Sequence, residues 1–115
     1  MNELKFPDKF LFGTAVASYQ VEGGIYNNDW TIWENKKNSV CVEPCNEACN
    51  HYELIDEDIN LLKTLGIKAF RFSIEWSRIE PTQGIFNDDE INHYVNKANT
   101  LISNDITPII TFHHF

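Results

Sequence analysis

Between His51 and Ile74 the sequence changes from one hydrophobic period to another with almost nothing in between. "HYELIDEDINLLKTLG" carries Leu54, Ile55, Ile59, Leu61, Leu62 and Leu65 at helical spacing, which makes one apolar stripe. Glu53, Asp56, Glu57 and Asp58 load its first half with negative charge and Lys63 sits near its end, both favourable to the helix dipole. Gly66 is a natural stop. The spacing predicts a helix from His51 to Leu65. "IKAFRFSIEW" follows at once and alternates like a strand through Ile74. A helix that turns straight into a buried strand restricts the chain to layered α/β arrangements with parallel strands.

The flanking segments follow the same rule. Phe10 to Ala17 reads as a short, largely buried strand, because its apolar residues are nearly continuous. Ser18 to Asn50 is a long irregular stretch rich in Asn, Gly and Asp, with an aromatic "DWTIWE" segment suited to packing down. Loops of that length in compact domains serve as lids or site walls. "RIEPTQGIFND" is a further loop, held by Pro81 and Gly84. Asn87 with Glu90 forms a capping box for a helix that carries Ile91, Tyr94, Val95, Ala98, Leu101 and Ile102 on one face. "ITPIITFHHF" is the last strand. The order is βαβαβ without an internal repeat, which implies right-handed crossovers.

A doubly wound sheet and a (β/α) barrel both fit that order. The first strand–helix turn has no G-x-G-x-x-G fingerprint. Polar residues instead follow every strand: Gln20 and Glu22 the first, Glu75, Trp76 and Arg78 the second, His113 and His114 the third. Barrels build active sites from such strand ends, so the barrel is favoured.

Bulk properties narrow the partners. A chain of 115 residues, 43% hydrophobic and 23% charged, is one globular domain or part of one. A net charge of -8 disfavours nucleic acid and anionic membrane. The N-terminus has no apolar signal region, and no apolar run approaches the ~18 residues that span a bilayer, so a cytoplasmic location is expected. Cys41, Cys45 and Cys49 are odd in number, match neither common zinc spacing, and are interrupted by Pro44. Reduced loop thiols are expected there, with no metal and no cofactor.

Among candidate site residues, Gln20 offers two donors and two acceptor lone pairs just past a run of small residues, enough to fork onto adjacent hydroxyls. The competing reading is a glutamine that satisfies nearby backbone. Arg71 lies between apolar neighbours, so a buried guanidinium needing a carboxylate partner is expected. His113 and His114 are adjacent on a strand and should face opposite ways, one toward the site and one into packing. His51 and His93 read as packed or solvated. Glu22 and Glu75 are conceivable acid–base groups, though loop carboxylates are mostly solvated.

Three segments resemble a known family. "FLFGTAVASYQVEGG" is similar to the N-terminal signature of glycoside hydrolase family 1, the β-glucosidase family: an aromatic pair, alternating small residues, then Y/F-Q-x-E-G. "HYELIDEDINLLKTLGIKAFRFSIEWSRIEP" resembles the block in which a helix ending in L-G runs into R-F-S-I-x-W-x-R-I-x-P. "PIITFHHF" resembles the third-strand ending T-L-x-H followed by Trp or Phe. The resemblance implies a (β/α)8 TIM barrel, residues 1–115 supplying about its first three βα units, and retaining hydrolysis of β-linked glycosides. It implies that Gln20 and His114 bind hydroxyls of the terminal sugar, with Phe115 in the neighbouring aromatic position. Arg71 matches the arginine that holds the nucleophilic glutamate.

The family's two catalytic glutamates lie in an N-E-P and a T/I-E-N-G segment, and neither occurs in this sequence. The isolated chain is therefore expected to be inactive, and with an uncovered sheet face to fold poorly or aggregate. A non-catalytic carbohydrate-binding or vestigial fragment, or one half of a split barrel completed by a C-terminal partner, are the alternatives.

Overall fold

The computed structural model describes residues 3–114. In chain order the elements are β1 (Gly13–Ala15), α1 (Ser18–Val21), α2 (Asp29–Glu34), α3 (Ile55–Thr64), β2 (Ala69–Ser73), α4 (Trp76–Ile79), α5 (Asp88–Ser103) and β3 (Thr107–Thr111). The strands form one parallel sheet in the order β1-β2-β3, with Gly13 opposite Ala69 and Ala69 opposite Thr107.

Strand β2 organises the interior. Phe70 and Phe72 project from one face into a core with Ile59 and Leu62 of α3, Tyr94 and Leu101 of α5, and Ile79 and Ile106. Alternation sends Arg71 to the opposite face. On that face Ala69 and Ser73 are buried, Ser73 beneath Ser18, while Arg71 between them is exposed instead of buried as its apolar neighbours implied.

Strand β1 also departs from expectation. It is three residues long and exposed throughout, and Phe10, Leu11 and Phe12 are about half exposed, where a largely buried strand from Phe10 to Ala17 was expected. It pairs with β2 on one edge only. Phe6, Phe10 and Phe12 cluster on each other instead, with ring centroids 4.6–5.0 Å apart.

The helices conform more closely. Helix α5 starts where the capping signal put it, with Asn87 accepting from the backbone N–H of Asp89 and Glu90. The reciprocal arm is absent, because Glu90 accepts from the Tyr52 hydroxyl at 2.9 Å. Helix α3 begins at Ile55, four residues late. The backbone N–H groups of His51 and Tyr52 bond to Val21 and Glu22 carbonyls, which binds those residues to the turn after β1. Only Ile59 and Leu62 of its apolar stripe are buried; Leu54, Leu61 and Leu65 are exposed. Short helices α1, α2 and α4 occupy stretches read as loops.

Two glycines set how closely the backbone packs. A Cβ on Gly13 would lie 2.6 Å from the Ala69 carbonyl oxygen, so its absence lets β1 approach β2. Gly23, at φ +77°, would place a Cβ 2.2 Å from the carbonyl oxygen of Glu47. Gly23→Ala combines a left-handed residue with a backbone clash and is expected to cost about 3 kcal/mol. A loss of less than about 1 kcal/mol in urea denaturation would contradict the close approach.

Candidate active site

The C-terminal ends of the strands are joined by a buried polar network. Ser18, just after β1, donates its N–H to Ser73 Oγ at 2.7 Å, and Ser73 Oγ donates to Ser18 Oγ at 3.0 Å. Ser18 Oγ donates on to Glu75 Oε2 at 3.0 Å. The other Glu75 oxygen accepts from Ser77 Oγ at 2.6 Å and Asn28 Nδ2 at 3.4 Å. Three donors, Ser18, Asn28 and Ser77, therefore converge on one carboxylate.

A second carboxylate lies deeper. Glu22 is 1% exposed and accepts from the Tyr94 hydroxyl at 2.9–3.0 Å and from Arg78 Nε at 3.3 Å. Arg78 also donates to the Gly23 carbonyl and lies 4.1 Å over the Tyr52 ring. The Tyr94 hydroxyl in turn accepts from the Glu75 N–H at 3.1 Å, so one oxygen bridges the β1 turn and the end of β2. Burial pushes the Glu22 carboxyl above its ordinary range and Glu75 adds to this, while Lys97, Tyr94 and Arg78 oppose it. Burial likewise raises the Tyr94 hydroxyl.

Lys97, on the same helix as Tyr94, is buried with its ammonium 4.2 Å from the centre of the Phe72 ring. It donates to His51 Nε2 at 2.8 Å, which leaves the ring proton on Nδ1 to be donated to Asp58 Oδ2 at 2.5 Å. Burial, and then Lys97, hold His51 below its usual range against Asp58. Burial also lowers Lys97 to about 8, with Glu22 and Asp58 opposing.

The sequence-derived site residues divide between two openings. His113 and His114 both line a cleft of about 350 Å³ with Ser18, Asn28, Asp29, Glu75 and Trp76. They were expected on opposite faces, but β3 ends at Thr111, so strand alternation no longer governs them. Gln20 is exposed in a neighbouring hollow of about 480 Å³ with Tyr19, Trp30, Glu34, Cys41 and Cys45. Helix α2 borders both, Asp29 facing the first and Trp30 the second. Arg71 is on the open sheet face, and Phe115 lies outside the described residues.

The remaining candidates are structural. Glu22 and Glu75 are committed to hydrogen bonds that hold the strand ends, which argues against their being solvated loop carboxylates. His51 is buried, and His93 stacks on Tyr52 at 3.9 Å. Cys41, Cys45 and Cys49 are free thiols. Among the described residues no group of three or more His, Cys, Asp or Glu is placed to hold a metal ion. Tyr94 and Lys97 were missed as network members. Their signal was present: a lysine three positions after Tyr94, beside Ala98 and Leu101, on a helix whose apolar face meets the sheet.

A three-stranded parallel sheet with polar residues at every C-terminal strand end now has a family to be compared with. The profile of Glycosyl hydrolase family 1 matches residues 2–115. The chain belongs to glycosyl hydrolase family 1. Myrosinase 1 of Brevicoryne brassicae is 41% identical over 124 residues, 98% of this chain and 26% of that protein. Beta-glucosidase A of Thermotoga maritima is 39% identical over 122 residues, 100% of this chain and 27% of its own length. The crystal structure of beta-glycosidase BGL167 superposes with a TM-score of 0.92 at 41% identity, over 96% of this chain and 26% of that one. The family 1 chain thus spans about a quarter of the length of the curated relatives it matches, and its strands and helices are the first βα units of their (β/α)8 barrel. No helix among its described residues is long and apolar enough to cross a membrane.

Two outcomes test the network. Tyr94→Phe removes the bridging hydroxyl, leaving the Glu75 N–H without its acceptor and Glu22 short of a donor. A loss of about 2–3 kcal/mol is expected in chemical denaturation, and a loss near zero would mean the bridge is not formed. For Lys97, the folded value of about 8 lies below the ordinary 10.5, so between these pH values the native state holds fewer protons than the unfolded chain. Stability then rises with pH, by about 2 kcal/mol from pH 7.5 to 9.5. Lys97→Met should flatten that rise; an unaltered slope would assign it elsewhere.

Proposed function

We infer that this chain is the N-terminal part of a retaining β-glycosidase of the β-glucosidase type. The observation that carries the reading is the delivery of polar side chains to one end of three parallel strands in a family 1 chain. Gln20 forks its amide onto adjacent hydroxyls of the terminal sugar and His114 binds another, with Phe115, outside the described residues, as the aromatic next in sequence in the family pattern. Arg71, without an ion pair among the described residues, orients the carboxylate of the nucleophile across the open sheet face.

Retaining hydrolysis requires an acid/base and a nucleophile with carboxyl groups about 5–5.5 Å apart. Glu22 and Glu75 are occupied in holding the strand ends, and the sequence has no N-E-P or E-N-G segment. Both catalytic carboxyls therefore come from outside residues 1–115. The acid protonates the leaving oxygen while the nucleophile attacks the anomeric carbon, and water then hydrolyses the glycosyl intermediate.

The test begins by sequencing the transcript past the Phe115 codon and producing the protein that it encodes. If N-E-P and E-N-G segments follow, that protein should hydrolyse an aryl β-glucoside, and Gln20→Ala and His114→Ala should each lower kcat/KM by about 100-fold. Unchanged kinetics in both would remove their assigned roles. A stop codon at once would shift the reading to a sugar-binding or vestigial fragment, or to a split barrel if a C-terminal half copurifies.

A further inference from the structure

Helix α1 carries Gln20 and is only four residues long, too short to hold a direction by itself. Ala17, in its N-cap position, makes no side-chain cap. The acceptor comes from another strand instead. Ser73 Oγ, at the end of β2, takes the Ser18 N–H at 2.7 Å, across 55 positions of chain. Ser73 thus does for α1 what an N-cap hydroxyl does for an ordinary helix.

Counting protons fixes the sense of the bonds behind that one. Both Glu75 oxygens accept, Oε2 from Ser18 Oγ and Oε1 from Ser77 Oγ and Asn28 Nδ2. Ser18 has a single hydroxyl proton and gives it to Glu75, so toward Ser73 its oxygen can only accept. Ser73 therefore donates to Ser18 Oγ at 3.0 Å, and its remaining lone pair meets the helix N–H. The relay runs one way, from Ser73 through Ser18 to Glu75. All three residues are buried, so water is no substitute for a lost member.

The relay acts where the chain turns from strand to helix. The last ladder bond of β1 runs from the Val16 N–H to the Arg71 carbonyl, and the relay begins two residues later. Beyond it, the Tyr19 carbonyl accepts from Cys45 Sγ and the Val21 carbonyl from the His51 N–H. Those later bonds tie α1 to the loop and to the segment before α3. The relay ties it to β2, the strand on which the core is built.

We propose that Ser73 and Glu75, acting through Ser18, are positioning residues for the Gln20 amide. The relay sets the angle at which α1 leaves β1, and with it the place where the amide meets the sugar. This rests on the glycosidase reading and deepens it. Ser73, at 1% exposure, has no surface to offer a substrate, so its influence on the reaction passes through α1.

The test is a double-mutant cycle on the whole encoded protein, with an aryl β-glucoside as substrate. Ser73→Ala should lower kcat/KM about tenfold in the parent and less than twofold in the Gln20→Ala background, where no amide is left to misplace. A merely structural loss would be equal in both backgrounds, and that result overturns the proposal. Glu75→Gln runs the same cycle without opening a cavity, and decides it if Ser73→Ala does not fold. Asn28 and Ser77 keep the new amide's oxygen, so its N–H turns toward Ser18 Oγ and reverses the relay. A fall of several fold that disappears in Gln20→Ala supports the proposal, and kinetics within twofold of the parent overturn it. If Gln20→Ala itself changes nothing, the proposal fails while the glycosidase reading stands. If the parent does not hydrolyse the glucoside, the glycosidase reading fails and the proposal with it.

Discussion

Everything that positions the candidate site depends on a carboxylate kept out of water. Glu22 is almost wholly buried, and an anion there is tolerable only because Tyr94 and Arg78 donate to it and Lys97 lies near. Those partners come from a long helix and from the turn after β2, while Glu22 itself follows β1. The need to satisfy one charge thus fixes three elements relative to each other. The Tyr94 hydroxyl carries the most geometric information, because it accepts from the second strand's end and donates to the first strand's turn.

Around that anchor the molecule is solid on one side and open on the other. The Phe70 and Phe72 face is packed by α3 and α5, and on the opposite face Arg71 is exposed between the buried Ala69 and Ser73. Apolar surface continues along the edge strand, where Ile110 and Phe112 line a hollow of about 430 Å³ with Ile74, Trp76, Phe86 and Val95. The arrangement explains how a sequence with strong core signals leaves so many large apolar residues exposed.

The parts legible in the sequence were those decided locally. Strand β2, helix α5 with its Asn87 cap, the stop at Gly66 and the parallel order all follow from period and capping chemistry over a few residues. Burial was not local. Arg71 was assigned correctly to the face opposite the phenylalanines, but whether that face is covered depends on chain far away. The start of α3 was lost because His51 and Tyr52 spend their N–H groups on β1's turn, a contact that no period reports. Gln20 and His114 stand out by side-chain chemistry and strand-end position and take their sugar-binding roles from the family resemblance, yet they line different hollows, and α2, hidden in a segment rich in turn residues, borders both. Tyr94 read only as part of an apolar stripe and Lys97 went unnoticed, because a polar group on an apolar face shows its partners only once the fold is formed.

The pairing of β1 has a further consequence, for the order of folding. Ser18 and Ser73, which bond where β1 and β2 end, are 55 positions apart in the chain, whereas β2, α4, α5 and β3 follow one another directly. Closing so long a loop is slower than assembling neighbours, so the unit from α3 onward can form first. During synthesis the first strand emerges early yet must wait for residues near 73 before it has a partner. Through that interval Phe10, Leu11 and Phe12 have no sheet to join, and the cluster of Phe6, Phe10 and Phe12 is a local means of partly concealing the rings. The same twelve residues that begin the barrel are thus the stretch for which a nascent chain most needs a chaperone.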